Sequence, residues 1–212
     1  MVDGQEFILT DIVAPSAYDL QLPAEPFFEQ ARAGLAALIN DRMLEVTETD
    51  TPNRWGAKRV SAKIVGKDKT LQYYLVEKGF AKTAPHTDDE AFIDTLLRAE
   101  RKARAEKRGL WALRDYRIFE ATNARGAIGG YHLVEGSVRS AALARGRYYL
   151  NFGEDYREDF TATTRSRTGK KWARTGFDLL SLEGAQIRVR GFTVWINGPS
   201  IELAHIKQIE VL

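Results

Sequence analysis

The chain of 212 residues contains no cysteine. This absence excludes disulfide bonds and cysteine-ligated zinc sites, although it fits any cellular compartment. No apolar run approaches the roughly 20 residues of a membrane-spanning helix, so we expect no membrane partner. Residues 1–6 lack the cationic and apolar character of an export signal. We expect a soluble, bacterial-type protein that is exported or periplasmic if a leader was removed upstream, and the compartment is otherwise open.

An excess of charge of one sign is also lacking. The chain carries 31 basic and 29 acidic side chains, and from Gly126 onward the numbers are 12 and 9. The second half is therefore mildly basic, well short of the strong basic patch of a dedicated DNA-binding protein. The three histidines, His86, His132 and His205, lie in different predicted elements, and metal sites need spaced clusters of ligands. We expect no bound metal.

A predicted strand in the second half, within 146–153, has two different faces. Its aromatic residues are bounded by glycines, which is typical of a β-strand. Because side chains alternate along a strand, one face is apolar and can enter a core. The other face presents Arg147, Tyr149 and Asn151. A cation, an aromatic ring and an amide are the groups that bind phosphates, stack on bases and form hydrogen bonds with a nucleic-acid strand.

Neighbouring segments extend this polar face. Alternation over 159–164 predicts that Phe160 points inward and that Thr161 and Thr163 point outward. The same alternation over 187–191 predicts two outward arginines, and the start of a short helix or turn near residue 170 adds two cations and an indole ring. An ordinary polar face with cross-strand ion pairs is the alternative. The predicted nucleic-acid-binding residues are Arg147, Tyr149, Asn151, Arg188, Arg190, Lys170, Lys171 and Trp172.

The element order of the second half predicts its topology. Five strands are expected, with a helix or turn between the third and the fourth, at 131–138, 146–153, 159–164, 187–191 and 200–211. This region resembles nucleic-acid-binding OB-fold domains, which are partly open Greek-key barrels with this order of elements. Such barrels commonly bind oligonucleotides or oligosaccharides on their second and third strands and on their 1–2 and 4–5 loops. The run 195–199 is the predicted 4–5 loop.

The first half is predicted to mix strands and helices. Apolar residues at helical spacing indicate a helix over 28–39 and a longer one over 88–108, which Gly109 ends. Strands are expected over 6–13, 44–47, 59–65 and 80–83, with a short helix over 71–79. A linker is expected at 113–127, which separates a first domain at 1–112 from a second domain at 128–212.

The motifs of the first half resemble staphylococcal-nuclease-like (thermonuclease) domains over about residues 5–112. They are a strand that ends at Ala14-Pro15, the turn Asn53-Arg54-Trp55-Gly56, the run Gly79-Phe80-Ala81, and Gly109-Leu110-Trp111 after a charged helix. Because these domains are OB barrels with added helices, the resemblance implies an α+β protein, mainly β, with two five-stranded barrels in tandem. The first strand pair could be incomplete, since little chain precedes the turn signal at Asp3-Gly4.

The same resemblance implies that the catalytic residues are lost. The family uses aspartates that bind calcium, a glutamate that acts on the attacking water, and two arginines that stabilise charge on the phosphate. The matching positions here hold Ile8, Val13, Ser16 and Ala57, and the upstream aspartate would lie in the missing strand. Phosphodiester hydrolysis needs a cation held by oxygen ligands or an equivalent charge clamp. We therefore expect no catalytic residues and no cofactor, with calcium only if nuclease activity is retained.

Three functions follow as hypotheses. The first is a nucleic-acid-binding protein whose partner is single-stranded DNA or RNA. The second is an active nuclease with a rearranged site, in which a one-residue shift brings Lys58 or Arg59 to the place of the second arginine and Asp11 lies near the lost aspartate. The third is a protein-interaction scaffold, which the near-neutral charge favours. An open barrel edge at the missing strand also predicts a possible homodimer.

Overall fold

The structure is a computed structural model that describes residues 7–17, 23–49 and 57–212. The chain divides into two compact units, Met1–Tyr116 and Arg117–Leu212. The predicted mixed α+β class, with many strands and several helices, is confirmed. No helix in the part of the chain that the structure describes is long and apolar enough to cross a membrane.

Short strands and three helices build the first unit. The strands are β1 (Phe7–Leu9), β2 (Ile12–Val13), β3 (Leu44–Glu48), β4 (Lys58–Ile64) and β5 (Lys82–Thr83). In one sheet, β4 lies between β1, which is parallel to it, and β3, which is antiparallel. A second, two-stranded sheet pairs β2 with β5. The turn at 53–56 and the residues before Phe7 lie outside the described ranges, so the incomplete first strand pair and the homodimer edge stay predictions.

The strand predicted over 6–13 is interrupted. Asp11 adopts a left-handed backbone conformation with φ of 60° and separates β1 from β2. Aspartate tolerates this conformation better than most residues because its side chain forms local hydrogen bonds. The apolar residues over 6–13 did not predict the break, because a strand pattern reports burial and not a change of direction.

The helices of the first unit agree with their predictions. They are α1 (Phe28–Ile39), α2 (Leu71–Glu77) and α3 (Glu90–Ala105). The N-cap side chain of Asp89 accepts a hydrogen bond from the backbone N–H of Phe92 at 3.0 Å, which explains the acidic residues at the start of α3. Helix α2 packs on β4 and on α3, and the shared core buries Leu75, Val76 and Leu96.

Two glycines that end helices contact each other directly. Gly79 and Gly109 both have positive φ, and the N–H of Leu110 donates to the carbonyl of Gly79 at 2.9 Å. A Cβ atom on Gly79 would lie 2.2 Å from the carbonyl oxygen of Arg108, and a Cβ atom on Gly109 would lie 2.2 Å from the carbonyl oxygen of Gly79. The two sequence motifs Gly79-Phe80-Ala81 and Gly109-Leu110-Trp111 are therefore two sides of one close backbone contact, which only glycine permits at both positions.

One eight-stranded sheet dominates the second unit. Its strands are β6 (Phe119–Glu120), β7 (Tyr131–Ser137), β8 (Ser140–Ala144), β9 (Arg147–Asn151), β10 (Thr161–Arg165), β11 (Gln186–Trp195), β12 (Pro199–Glu202) and β13 (Ile209–Val211). Helix α4 (Ser166–Arg174) follows β10. The hydrogen-bonded order is β6-β7-β11-β12-β10-β9-β8, and β13 pairs with β11.

Two consecutive strands, β7 and β8, lie near opposite ends of the path of this sheet. Only Val138 and Arg139 separate β7, which pairs with β11, from β8, which pairs with β9. If 131–144 is counted as one bent strand and the short strands β6 and β13 are left aside, five strands remain, with α4 between the third and the fourth. The strand neighbours on this path are antiparallel except for two parallel pairs, β6 with β7 and β10 with β12.

The apolar alternation of the second unit is confirmed by burial. The core contains the inward side chains Leu150, Phe160, Ala162, Ile187 and Val189, each no more than marginally accessible. Rows of inward residues from neighbouring strands thus meet in one core, as alternation along each strand requires.

Three predicted boundaries of the second unit differ from the structure. The strand expected over 200–211 is two strands, β12 and β13, separated by a 3₁₀ turn at Ile206–Gln208. The strand expected over 187–191 extends through β11 to Trp195. The predicted linker 113–127 also contains ordered elements, since Phe119, Ala124 and Ala127 are buried in the second core and the division between the units falls after Tyr116.

Candidate functional site

Four neighbouring strands of the second unit place their outward side chains in rows. Cross-strand register aligns Tyr149 with Thr163 and Thr163 with Glu202, and Ala142 completes this row on β8. Residues that are directly opposite each other in a sheet point to the same face. The row ends with an aromatic ring, a hydroxyl and a carboxylate side by side.

A second row runs parallel to the first, one repeat along the strands. It contains Ser140, Asn151, Thr161 and Ser200. The amide of Asn151 donates from Nδ2 to Ser140 Oγ at 3.0 Å, and its Oδ1 accepts from Thr161 Oγ1 at 3.3 Å. These bonds fix the amide orientation and leave a hydroxyl-rich floor.

The two rows form the floor of a pocket of about 600 Å³. This volume is within the range of about 300–1,000 Å³ that is usual for small-molecule sites. The hairpin loop between β11 and β12 supplies Ile196 and Asn197, and the loop after β9 supplies Tyr156. The predicted 4–5 loop therefore lies at the pocket, and Asn197 turns the chain there with φ of 50°.

Arg147 is held inside the pocket by two neighbours. Its Nε donates to Thr163 Oγ1 at 2.9 Å, and its Nη2 lies 3.0 Å from Glu202 Oε1. Arg165, at the end of β10, approaches the same carboxylate oxygen to 3.9 Å. The guanidinium is thus oriented by a charge-assisted contact, which is stronger than a neutral hydrogen bond. The sequence predicted the arginine and missed its partner Glu202.

The predicted face of β9 is brought together as expected. Arg147, Tyr149 and Asn151 all line the pocket and are half-buried. Sequence reasoning missed Tyr156, Ser200 and Glu202. Tyr156 follows an acidic stretch that carries no strand pattern, and the two residues of β12 join the face only through parallel pairing with β10.

The two predicted arginines of β11 are elsewhere. Arg188 donates to Glu135 Oε2 from Nε at 2.9 Å and from Nη2 at 2.6 Å, and neither arginine lines the pocket. Arg190 is 1% exposed and its Nη2 donates to Glu210. The outward placement of Arg190 is therefore wrong, because β13 and the turn before it bring the acidic side chain over that face of β11. A buried, paired arginine serves the fold, since unpairing it would leave a desolvated charge.

The predicted residues of α4 divide into two groups. Lys170 and Lys171 are exposed, whereas Trp172 is 6% exposed and packs in the core. The prediction of Trp172 as an accessible stacking ring is wrong, because the helix packs that side chain into the hydrophobic core of the second unit. The exposed side of the segment 160–177 carries basic side chains and no acidic ones, namely Arg165, Arg167, Lys170, Lys171 and Arg174.

The positions of the first unit that the resemblance matched to catalytic residues of the family hold Ile8, Val13, Ser16 and Ala57. Ile8 lies in β1 opposite Arg59 of β4, and Val13 lies in β2 opposite Lys82 of β5. The backbone N–H of Ser16 donates to Glu25 Oε2 at 3.2 Å. Ala57 precedes β4, and the adjacent Lys58 forms an ion pair with Glu48.

Asp11, the carboxylate two residues before Val13, has a structural role. It is 1% exposed. Its Oδ1 accepts from the backbone N–H groups of His86 at 2.7 Å and Thr87 at 2.9 Å, and its Oδ2 accepts from Thr87 Oγ1 at 2.9 Å. These bonds satisfy the buried carboxylate and fix the loop after β5.

Strand β5 contains a buried cation, Lys82. Burial lowers the pKa of its ammonium from 10.5 to about 8, against the opposing charges of Glu25 and Glu100. The Nζ atom lies 4.7 Å from the ring centroid of Tyr116, a distance typical of a cation–π contact. Lys82 thus faces an aromatic ring and two carboxylates within the first unit.

A metal centre is not evident in the described ranges. Among residues 7–17, 23–49 and 57–212, no three His, Asp or Glu side chains are grouped so that they could hold a metal ion. Two buried acidic side chains of the first unit, Asp11 and Glu100, accept hydrogen bonds from backbone N–H groups.

Comparison with known protein families decides the identity of the first unit. The sequence model of the family described as staphylococcal nuclease homologue matches residues 6–113. The chain belongs to the staphylococcal nuclease homologue family. The match covers about half of the chain and includes all the motifs on which the resemblance was based. No curated protein matches the chain. The family gives the first unit a nuclease-type scaffold, and the pocket of the second unit lies outside the matched segment.

Proposed function

We propose that this protein binds single-stranded nucleic acid through the pocket of its second unit. One observation carries the proposal: Arg147, Tyr149 and Asn151, which alternate along β9, line a pocket of about 600 Å³ together with the loop between β11 and β12. A cation, a ring and hydrogen-bonding groups in one groove are what a single strand requires.

The topology supports an OB-type barrel for the second unit. The bent stretch 131–144 pairs at one end with β11 and at the other with β9, and α4 follows the third strand. The pocket then lies on the second and third strands and on the 4–5 loop, which is the usual ligand surface of that fold. Fold analogy alone would be weak support, so the proposal rests mainly on the side chains of the pocket.

The basic segment beside the pocket supports contact with a phosphate backbone. Arg165 lies at the pocket edge near Glu202, and α4 begins with the next residue. Lys170 and Lys171 follow on the exposed side of that helix, and no acidic residue interrupts the segment. Lysine and arginine contacts with phosphates supply most of the sequence-independent affinity for nucleic acids. The proposed interface therefore keeps the pocket face and the cations of α4, without Arg188, Arg190 and Trp172.

We propose further that the first unit is a nuclease scaffold without nuclease activity. The support is chemical: Ile8, Val13 and Ala57 offer neither a metal ligand nor a positive charge at the matching positions. The carboxylate of Asp11 accepts three hydrogen bonds from the loop after β5. A hydrolysing site would need charged groups that stabilise the developing negative charge on the phosphate.

Fluorescence anisotropy with labelled single-stranded DNA and RNA tests the binding proposal. We expect salt-sensitive binding at micromolar protein concentration. Because base stacking contributes roughly 1–3 kcal/mol, Tyr149→Ala should weaken binding by about 5-fold to 150-fold. Phe192→Ala is the matched control, since it removes an exposed ring outside the pocket. Absence of salt-sensitive binding, or equal losses in the two variants, would contradict the proposal.

Incubation with plasmid and single-stranded DNA tests the loss of catalysis. Samples with calcium, magnesium or a chelator should yield the same uncut substrate. Metal-dependent products from the pure protein would show that other residues of the first unit have replaced the lost catalytic set, and calcium would then be its expected cofactor.

A further inference from the structure

The pocket contains one acidic side chain that a plain phosphate-binding groove would not have. Glu202 ends β12 and lies directly opposite Thr163, which in turn lies opposite Tyr149. Its side chain is 56% exposed, so the carboxylate is accessible from the pocket. An exposed carboxylate among phosphate-binding groups repels a phosphate, so its presence calls for a different ligand group at this point.

Glu202 is oriented from one side and open on the other. Its Oε1 lies 3.0 Å from Arg147 Nη2 and 3.9 Å from Arg165 Nε. Its Oε2 accepts no hydrogen bond from any residue within the ranges that the structure describes. A carboxylate oxygen has only acceptor sites, so Oε2 is available to a ligand that donates.

The ion pair also changes what Arg147 can do. Its Nη2 is directed to Glu202 and its Nε to Thr163 Oγ1, so the positive charge inside the pocket is compensated. A phosphate gains little from a compensated cation and meets the adjacent carboxylate. The backbone of a bound strand is better placed along the exposed cations Arg145 and Lys170, and the pocket is better suited to an uncharged ring.

The aromatic and apolar groups of the pocket accept a ring without selecting among the bases. Tyr149 and Tyr156 offer aromatic faces and Ile196 an apolar side chain. Every nucleobase has a π-face, so stacking tolerates all of them. The hydroxyl of Ser200 can both donate and accept, so it does not distinguish an amino group from a carbonyl group, whereas the hydroxyl of Thr161 already donates to Asn151. Glu202 is the acidic residue among those that line the pocket, and its carboxylate can only accept, so it distinguishes an amino group from a carbonyl group.

We infer that Glu202 selects the base in the pocket and favours bases with an exocyclic amino group over thymine and uracil. Cytosine, adenine and guanine each carry an amine that can donate to Oε2, and a carboxylate accepting from such an amine is a known base contact. Thymine and uracil present a carbonyl oxygen at the corresponding position, which the carboxylate repels. This inference rests on the binding function proposed above, and it assigns a specificity to the same pocket.

Competition anisotropy tests the inference. A labelled mixed-sequence single strand is displaced by unlabelled oligo-dC, oligo-dA and oligo-dT of equal length at one salt concentration, so that the phosphate contribution is the same. We expect oligo-dC and oligo-dA to bind more tightly than oligo-dT by about fivefold or more. Glu202→Gln should abolish this preference without weakening oligo-dT, because an amide can donate as well as accept.

Glu154→Gln is the matched control for charge. Glu154 is an exposed residue that pairs with Arg139 outside the pocket, and its variant should keep the preference. Thermal unfolding of both variants verifies that they fold. If no oligonucleotide binds the wild type, the binding function fails and the inference fails with it. If all three bind equally, or if Glu202→Gln keeps the preference, binding stands and the role of Glu202 is refuted.

Discussion

Replacing the buried Lys82 with methionine should stabilise the first unit. Lys82 is 4% exposed and its pKa is about 8 instead of 10.5, chiefly because burial disfavours the ammonium. A shift of this size corresponds to about 3 kcal/mol at neutral pH, since one pKa unit is worth about 1.4 kcal/mol. Losing the contact with the Tyr116 ring offsets about 0.5–2 kcal/mol of this gain. We expect Lys82→Met to raise the free energy of unfolding by about 1–3 kcal/mol at pH 7.

The pH dependence of this effect has a definite sign. The folded pKa lies below the unfolded value, so between about pH 8 and 10.5 the unfolded chain binds more protons at Lys82 than the folded chain does. Stability contributed by this group therefore rises with pH in that window. Below pH 8 the desolvation cost is fully present, and above 10.5 it is absent. Methionine does not titrate, so the advantage of Lys82→Met should be largest at pH 7 and shrink toward pH 10.5.

Urea denaturation of both proteins at pH 7 and pH 10 measures the difference. Hydrogen exchange of the amides in α2 and α3 assigns the transition to the first unit. Lys67→Met makes the same chemical change at an exposed turn and should alter stability by no more than about 0.5 kcal/mol. A Lys82→Met protein that is no more stable than the wild type at pH 7, or an advantage that does not change with pH, would refute the reasoning.

Substitutions at two positions of α4 separate its binding side from its core side. Lys170→Gln removes an exposed cation, and the slope of log K against log salt for single-stranded DNA should fall by about 0.7 in anisotropy titrations; an unchanged slope would exclude Lys170 from the interface. Trp172→Ala should lower the free energy of unfolding by about 3–5 kcal/mol in urea denaturation, because the ring is buried in the core. Trp172→Phe should keep the affinity for DNA, and a folded Phe variant that binds weakly would restore the indole as a stacking group.

Local patterns predicted most of the elements correctly. The helices of the first unit and the strand β9 follow from apolar spacing, glycines and capping residues, all of which act within a few residues. The division of β9 into an apolar face and a polar face also follows from alternation alone, and Leu150 and Tyr149 lie on the expected sides. The break at Asp11 and the turn that separates β12 from β13 were not predictable, because no periodicity marks a change of chain direction.

The arginines show where local reasoning ends. Arg147 and Arg190 have the same pattern, a cation between apolar residues of a strand. The first lines a pocket, and the second is buried against Glu210. Alternation assigns a side chain to a face, but the chain that covers this face comes from residues far away in sequence. A similar limit applies to Trp172, whose ring suggested stacking and whose helix directs it into the core.

By itself, the sequence determined the family of the first unit, the order of elements in the second, and the two-faced character of β9, because these depend on residues close together along the chain. Only the tertiary structure decided which polar residues share a surface. The parallel pairing of β10 with β12 sets Glu202 and Ser200 beside Thr163 and Thr161. Such pairing joins segments about 40 residues apart, and its register is fixed by packing of the whole core and not by any local pattern.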